Sequence, residues 1–276
     1  MLFDAHTHLN YDGMSDEERA ELAKEIEGSE IAYIIDAGDS VESSKLGIAD
    51  SEKYDWCYCS AGIHPQHASE TTDEDIEEIR KLAAHPKVRA IGEIGLDFYY
   101  GKENKEEQIE VFRKQIRLAN DLRMPIMIHT RDADALTRDI LIEEGAFSDE
   151  RKSWFPEAPD GKGGTRGDAR VQLHCYSGSA ELAKEYVSLG AMISIGGPLT
   201  FKNGRRATET IKAIPLEAVL SETDAPYMAP EPLRGRPNKP YYVEHVVRRM
   251  ALLKDMEYEK AAEILMKNGK RFFDIE

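Results

Sequence analysis

Along this chain, apolar and polar positions fall into a repeating two-part rhythm. Short runs of β-branched and apolar residues alternate with longer, charge-rich stretches in which apolar residues recur at helical spacing. Eight short runs read as strands: Leu2–His8, Ile31–Ala37, Trp56–His64, Val88–Leu96, Pro125–Thr130, Arg170–Cys175, Ala191–Gly196 and Val219–Asp224. Each is followed by a helix-like segment, among them Ser15–Glu27, Asp73–Ala84, Lys105–Arg123 and Ala180–Leu189. Ser15 and Asp73 are the expected N-caps, and Gly28, Gly145 and Gly190 the expected stops. Eight βα units in one chain predict an α/β fold closed into a (βα)8 TIM barrel rather than an open doubly wound sheet. No GxGxxG follows the first strand, which removes the dinucleotide-binding rival.

Two stretches depart from the rhythm. Residues 148–168 are polar and rich in Gly and Pro. They precede the sixth strand and are expected at the N-terminal face of the barrel, away from the chemistry. Residues 241–273 read as two extra C-terminal helices closing the outside. Nothing suggests a linker or repeat, so residues 1–276 are expected to form a single domain.

Composition narrows the picture further. No apolar run reaches membrane-spanning length, and the first apolar stretch is interrupted by Asp4, His6 and His8 and lacks a basic leader. No membrane partner and no signal peptide are expected. Cys57, Cys59 and Cys175 have neither disulfide nor zinc spacing and are expected as buried thiols in a reducing, cytoplasmic compartment. A net charge of −16 weighs against a polyanionic partner unless the functional face is locally cationic.

The candidate chemistry lies at the C-terminal ends of the strands. Side chains alternate along a strand, so His6 and His8 point the same way, and with Leu2 and Asp4 that way is expected to be inward. Two inward imidazoles without a partner are costly to desolvate, whereas a divalent cation satisfies both. Glu93, His129, His174 and Asp224 each close a predicted strand, and catalytic groups of barrels gather on that rim. Four imidazoles and two carboxylates exceed one four-coordinate ion and suit two divalent ions sharing a carboxylate. Glu93 is the expected bridge, with His6, His8 and Asp224 on one ion and His129 and His174 on the other. Ligands of this kind accept Zn, Mg, Mn or Ni and do not choose among them.

These residues sit in Phe-Asp-Ala-His-Thr-His-Leu-Asn, Gly-Ile-His-Pro-Gln-His, Ile-Gly-Glu-Ile-Gly-Leu-Asp-Phe-Tyr, Ile-His-Thr-Arg-Asp-Ala, His-Cys-Tyr-Ser-Gly-Ser and Glu-Thr-Asp-Ala-Pro-Tyr. In kind and order these motifs resemble the TatD family of metal-dependent DNases, a branch of the amidohydrolase-like barrels, from Met1 to Phe273. The resemblance implies a (βα)8 fold, divalent metals on His6, His8, Glu93, His129, His174 and Asp224, and hydrolysis of phosphodiesters. The family's usual activity is 3′-to-5′ exonuclease action on single-stranded DNA, sometimes RNA. Residues 148–168 are longer than the family usually has there.

Supporting residues extend this expectation. His64, at the end of the third strand, is read either as a proton donor or phosphate contact or as a hydrogen-bonded rim histidine. Arg131 shares the parity of His129 and is read as a phosphate clamp rather than a salt bridge. Lys202 is either a phosphate contact or a solvated loop charge. Lys102, Arg205, Arg206, Arg234, Arg236 and Lys239, interleaved with Phe98, Tyr99, Tyr100, Phe201 and Tyr227, are expected to make the rim locally cationic and able to stack bases. Glu93 and Asp224 are the expected catalytic pair: they hold and deprotonate a water that attacks phosphorus, assisted by His64. Two other functions fit a barrel of this kind. One is amide or ester hydrolysis, such as aminoacyl-tRNA deacylation; the other is noncatalytic binding of nucleic acid or protein.

Overall fold

The computed structural model describes residues 1–11 and 13–276. Among the described residues there are ten strands: β1 (Leu2–Thr7), β2 (Ile31–Asp36), β3 (Cys57–Ala61), β4 (Val88–Asp97), β5 (Ile126–Arg131), β6 (Ala158–Pro159), β7 (Thr165–Arg166), β8 (Val171–Leu173), β9 (Met192–Ile195) and β10 (Val219–Ser221). The helices are α1 (Asp16–Glu27), α2 (Val41–Lys53), α3 (Asp73–Leu82), α4 (Lys105–Leu122), α5 (Asp134–Glu143), α6 (Asp149–Ser153), α7 (Ala180–Leu189), α8 (Arg205–Ala213), α9 (Val243–Leu253) and α10 (Tyr258–Phe273). Eight strands form one parallel sheet in the order β1-β2-β3-β4-β5-β8-β9-β10, which is the expected barrel. Its seam is closed by bonds between the region of β10 and β1. Ser221 Oγ donates to the Phe3 carbonyl (3.0 Å), and the backbone N–H of Asp224 donates to the His6 carbonyl (2.9 Å).

The predicted strands mostly overrun the observed ones at the rim, where the backbone leaves the ladder. Cys175 and Asp224 adopt left-handed backbone angles (φ 44° and 57°), so His174 and Asp224 stand just past β8 and β10. At α3 the N-cap is Thr72, not Asp73. Thr72 Oγ1 accepts the Asp75 N–H while the Asp75 carboxylate accepts the Thr72 N–H, leaving Asp73 in the first turn.

Phase within β1 also differs from simple alternation. Leu2 packs in the outer cluster between sheet and helices, whereas Phe3 and Ala5 join Ile35, Ala90, Met127, Met192 and Leu220 in the inner cluster. Leu2 and Asp4 therefore do not share the inward side with His6 and His8. Register irregularities between Leu2 and Phe3 and between Asp4 and Thr7 reset the phase, so that both histidines still turn into the barrel above a packed floor. Phe272 and Phe273, at the end of α10, fill that floor from below, with Phe273 stacked on Phe3 at 5.8 Å. The terminal helices thus plug the barrel as well as covering it.

Residues 148–168 carry α6 and the antiparallel pair β6–β7. The buried Arg151 side chain donates to the carbonyls of Ala169 and Met124 (2.8 and 2.7 Å), just before β8 and β5, and to Asn120 Oδ1 (2.8 Å) on α4. Among the described residues, no helix is long and apolar enough to cross a membrane.

Candidate metal centre

β1, β4, β5, β8 and β10 deliver their terminal side chains to one point above the floor. Close approach of the strands makes this possible. Gly95, at φ 149°, lies so near β5 that a Cβ there would fall 1.9 Å from the His129 carbonyl, so only glycine lets Glu93 and His129 converge. Glu93 is the hub. Its Oε2 lies 3.4 Å from His6 Nε2 and 3.7 Å from His8 Nε2, while its Oε1 lies 2.9 Å from His129 Nδ1 and 3.7 Å from both His64 Nε2 and His174 Nε2. Asp224 Oδ1 stands 3.6 to 3.8 Å from Nε2 of His6, His8 and His174.

The six residues expected as ligands are therefore together, with His64 beside them, but their grouping differs from the expected division. Donor atoms within 4.8 Å of one another form the sets His6, His8 and Glu93; His64, Glu93 and His129; His174, Cys175 and Asp224; and His6, His174 and Glu222. His174 stands nearer His6, with ring centroids 3.4 Å apart, than His129, at 6.5 Å.

Backbone and carboxylate partners aim the rings. His8 Nδ1 donates to the Ala37 carbonyl (3.1 Å) and His174 Nδ1 to Glu222 Oε2 (3.0 Å), which leaves each Nε2 facing the cluster. Glu222 also accepts from the Cys175 N–H (2.7 Å) and from Ser194 Oγ (2.5 Å). Asp97 was missed in the sequence, although it shares the parity of Glu93. Its Oδ2 faces His129 Nε2 at 3.2 Å, and its Oδ1 accepts the N–H groups of Tyr99 and Tyr100 (2.9 Å each). Asp4, also missed, accepts from Thr223 N–H and Oγ1 and holds the seam beneath His6.

Electrostatics match the geometry. Burial alone would raise Glu93, but His174, His6 and the bond from His129 hold it well below the usual carboxylate range; Asp224 is lowered by His174 and His8 against the same burial. Burial would lower His8 and His174. Instead, Asp224 and Glu93 push His8 up to about 9, and Glu222 and Glu93 push His174 up to about 10. Burial and neighbouring His129 drive His64 down to about 3. The carboxylates thus demand positive charge that protons on imidazole supply, and a divalent cation competes for the same nitrogens. One more observation fits a cation: the buried His6 Nδ1 has no hydrogen-bond partner. The donor set, all imidazole and carboxylate, suits Zn-like or Mn-like ions.

Around the centre, exposed Arg131 lies 4.1 and 4.8 Å from the ring centroids of Tyr99 and Tyr100 and forms no ion pair among the described residues. Lys202 is also exposed and unpaired there. Other rim cations are engaged: Lys239 by Glu25 (2.5 Å), Arg205 by Glu209 (2.7 Å), and Arg234 over the Phe201 ring (4.1 Å). All three cysteines are free thiols. Cys57 and Cys59 are buried, but Cys175 is partly exposed, because it lies past the end of β8.

A parallel eight-stranded barrel with imidazoles and carboxylates clustered on its C-terminal rim defines the class of metal-dependent barrel hydrolases. The family model described as TatD related DNase matches residues 3–274, and the chain belongs to this family. It is 39% identical over 275 residues, covering all of both chains, to a Bacillus subtilis (strain 168) protein described as the uncharacterized metal-dependent hydrolase YabD. It is 28% identical, over 99% of this chain and all of the other, to an Erwinia tasmaniensis protein named 3′-5′ ssDNA/RNA exonuclease TatD. The crystal structure of the Escherichia coli TatD homolog YJJV superposes with a TM-score of 0.85 at 25% identity, covering 100% of this chain and 98% of that one.

Proposed function

We propose that this hydrolase cleaves phosphodiesters as a 3′-to-5′ exonuclease of single-stranded DNA or RNA, with two divalent cations held by His6, His8, Glu93, His129, His174 and Asp224. The observation that carries the reading is the position of Glu93, whose two carboxylate oxygens face separate imidazole groups, as a carboxylate shared between two cations must. The name of the Erwinia relative supports the choice of bond and direction. When bound, such cations supply Lewis acidity toward a phosphoryl oxygen and make water more acidic.

The chain's own groups take the remaining roles. Asp224, held ionised by the imidazoles around it, orients the attacking water and accepts its proton. Arg131, braced by Tyr99 and Tyr100, and Lys202 neutralise charge on the phosphoryl oxygens. His64 accepts the Gln66 N–H at Nδ1 (3.2 Å), so its neutral ring carries the proton on Nε2, turned toward the centre and able to donate a hydrogen bond to the departing 3′ oxygen. The free thiols agree with action in the cytoplasm.

The test uses metal-stripped protein, single strands labelled at either end, and Zn, Mg, Mn or Ni restored in turn. Stepwise release of mononucleotides from the 3′ end is the expected result. Hydrolysis confined to amide and carboxylic ester panels, with intact oligonucleotides, would replace this reading with the ester and amide one.

A further inference from the structure

Beside the catalytic rim, a groove of about 780 Å³ runs between α8 and α9. Its walls are the matching faces of two helices: Arg205, Thr208, Glu209 and Lys212 on α8, and His245, Arg248, Arg249 and Leu252 on α9, each set at the i, i+3, i+4, i+7 spacing of one helical face. Its mouth is Phe201 and Lys202, in the loop that leaves β9 at the barrel's C-terminal end. α8 and α9 both follow loops from that end, so the groove starts at the rim and descends the outer wall. Nine residues of α8 at about 1.5 Å each give it roughly 13 Å of length.

The charge here is opposite to that of the molecule. Lys202, Arg205, Lys212, Arg248 and Arg249 line the groove against Glu209 and Glu231, in a chain whose net charge is −16. Arg205 is held by Glu209 and Arg248 by Glu244 (2.6 Å), but Lys202, Lys212 and Arg249 have no ion pair among the described residues. Three unpaired cations spread over the mouth and both walls of one trough continuous with the rim fit a chain of several phosphates better than a compact anion. At about 3.4 Å per nucleotide of a stacked strand, roughly four phosphates would fit along it.

We infer that this groove holds the phosphodiester backbone of the single strand upstream of the end being cleaved, so that it sets affinity for long strands and not the chemistry. This rests on the exonuclease reading. The experiment separates the two by measuring binding without turnover. Lys212→Gln/Arg249→Gln and wild-type protein are titrated, in chelator, against fluorescein-labelled thymidine oligomers of 3 and 30 nucleotides by anisotropy. A control, Lys81→Gln/Lys267→Gln, removes equal charge from exposed sites on α3 and α10.

The groove variant should bind the 30-mer about tenfold more weakly at low salt, with a log–log salt slope smaller by about 1.4, since each lost phosphate contact removes about 0.7 on a single strand. Its trimer binding, and the trimer turnover of the cation-loaded enzyme, should match wild type. Equal weakening by the control, a wild-type slope in the groove variant, or equal wild-type affinity for both lengths would overturn the inference. If loaded wild type releases no nucleotides while the groove variant still loses 30-mer affinity, the hydrolytic reading falls and the groove stands. Should the double variant melt early, Lys212→Glu alone, at an exposed position, should weaken 30-mer binding in the same direction with a slope smaller by about 0.7, the share of one lost contact.

Discussion

Glu93 and Asp97 illustrate how much a single side chain contributes here. Both project from one side of β4: the first collects the imidazoles, and the second fixes the ring of His129 while tying down the turn that carries Tyr99 and Tyr100. Glu93→Gln keeps the shape but loses the charge that two cations would share. Turnover is expected to drop on the order of a thousandfold, the equivalent of several kcal/mol of charge stabilisation, while the metal-free protein still melts cooperatively, at a lower temperature because a carboxylate that faces His8 and His174 is gone. Steady-state assay plus thermal melting checks this, and wild-type turnover would refute the role. Asp97→Asn acts through His129 and should weaken cation affinity by about ten- to a hundredfold. Titration with a competing chelator measures that loss, and unchanged affinity would show that Asp97 only shapes the turn. The motifs made the imidazoles and Glu93 legible. Asp97 was not, because a carboxylate four residues beyond a ligand, at the very end of its strand, resembles an ordinary loop acid until its distance to His129 is known.

Among the elements, β4 and β1 are the least ordinary. β4 is a ten-residue strand whose Gly95 passes against the His129 carbonyl, so Gly95→Ala forces backbone apart exactly where the centre is assembled. A loss of more than about 3 kcal/mol, or failure to fold, is expected, overpacking being compounded by a backbone angle that disfavours Cβ. Denaturant melts would show it, and a stable Gly95→Ala variant would mean that β4 and β5 can separate without harm. β1 teaches a different lesson. Alternation correctly joined His6 to His8 but assigned Leu2 and Asp4 to the wrong side, because register irregularities are settled by pairing with β2 and β10 and leave no mark on the hydrophobic pattern. The start of α1 was legible at Ser15, whereas that of α3 shifted by one to Thr72, where Thr72 and Asp73 competed for the cap.

For the molecule as a whole, the centre couples cation binding to proton binding and to stability. His8 and His174 have folded values of about 9 and about 10, above the ordinary 6.5, so in metal-free protein they add stability that is fully present below pH 6.5 and lost as pH rises through 9 to 10. The metal-free melting temperature should therefore fall across that window. Added cation should flatten the fall, because it replaces the departing protons: at a hundred times its Kd it contributes about 2.7 kcal/mol, and its binding at pH 7 should release protons. Scanning calorimetry with and without cation, and binding heats in buffers of different ionisation enthalpy, test both halves. A flat metal-free profile with no proton release would refute the coupling. The rhythm of strands and helices, the barrel and the residue types of the centre follow from the sequence itself, because periodicity and local motifs are properties of neighbours in the chain. Which carboxylate oxygen faces which imidazole, the phase of β1, the plug formed by Phe272 and Phe273, and the cationic trough between α8 and α9 were decided only by tertiary structure, since each depends on distances between segments far apart in sequence.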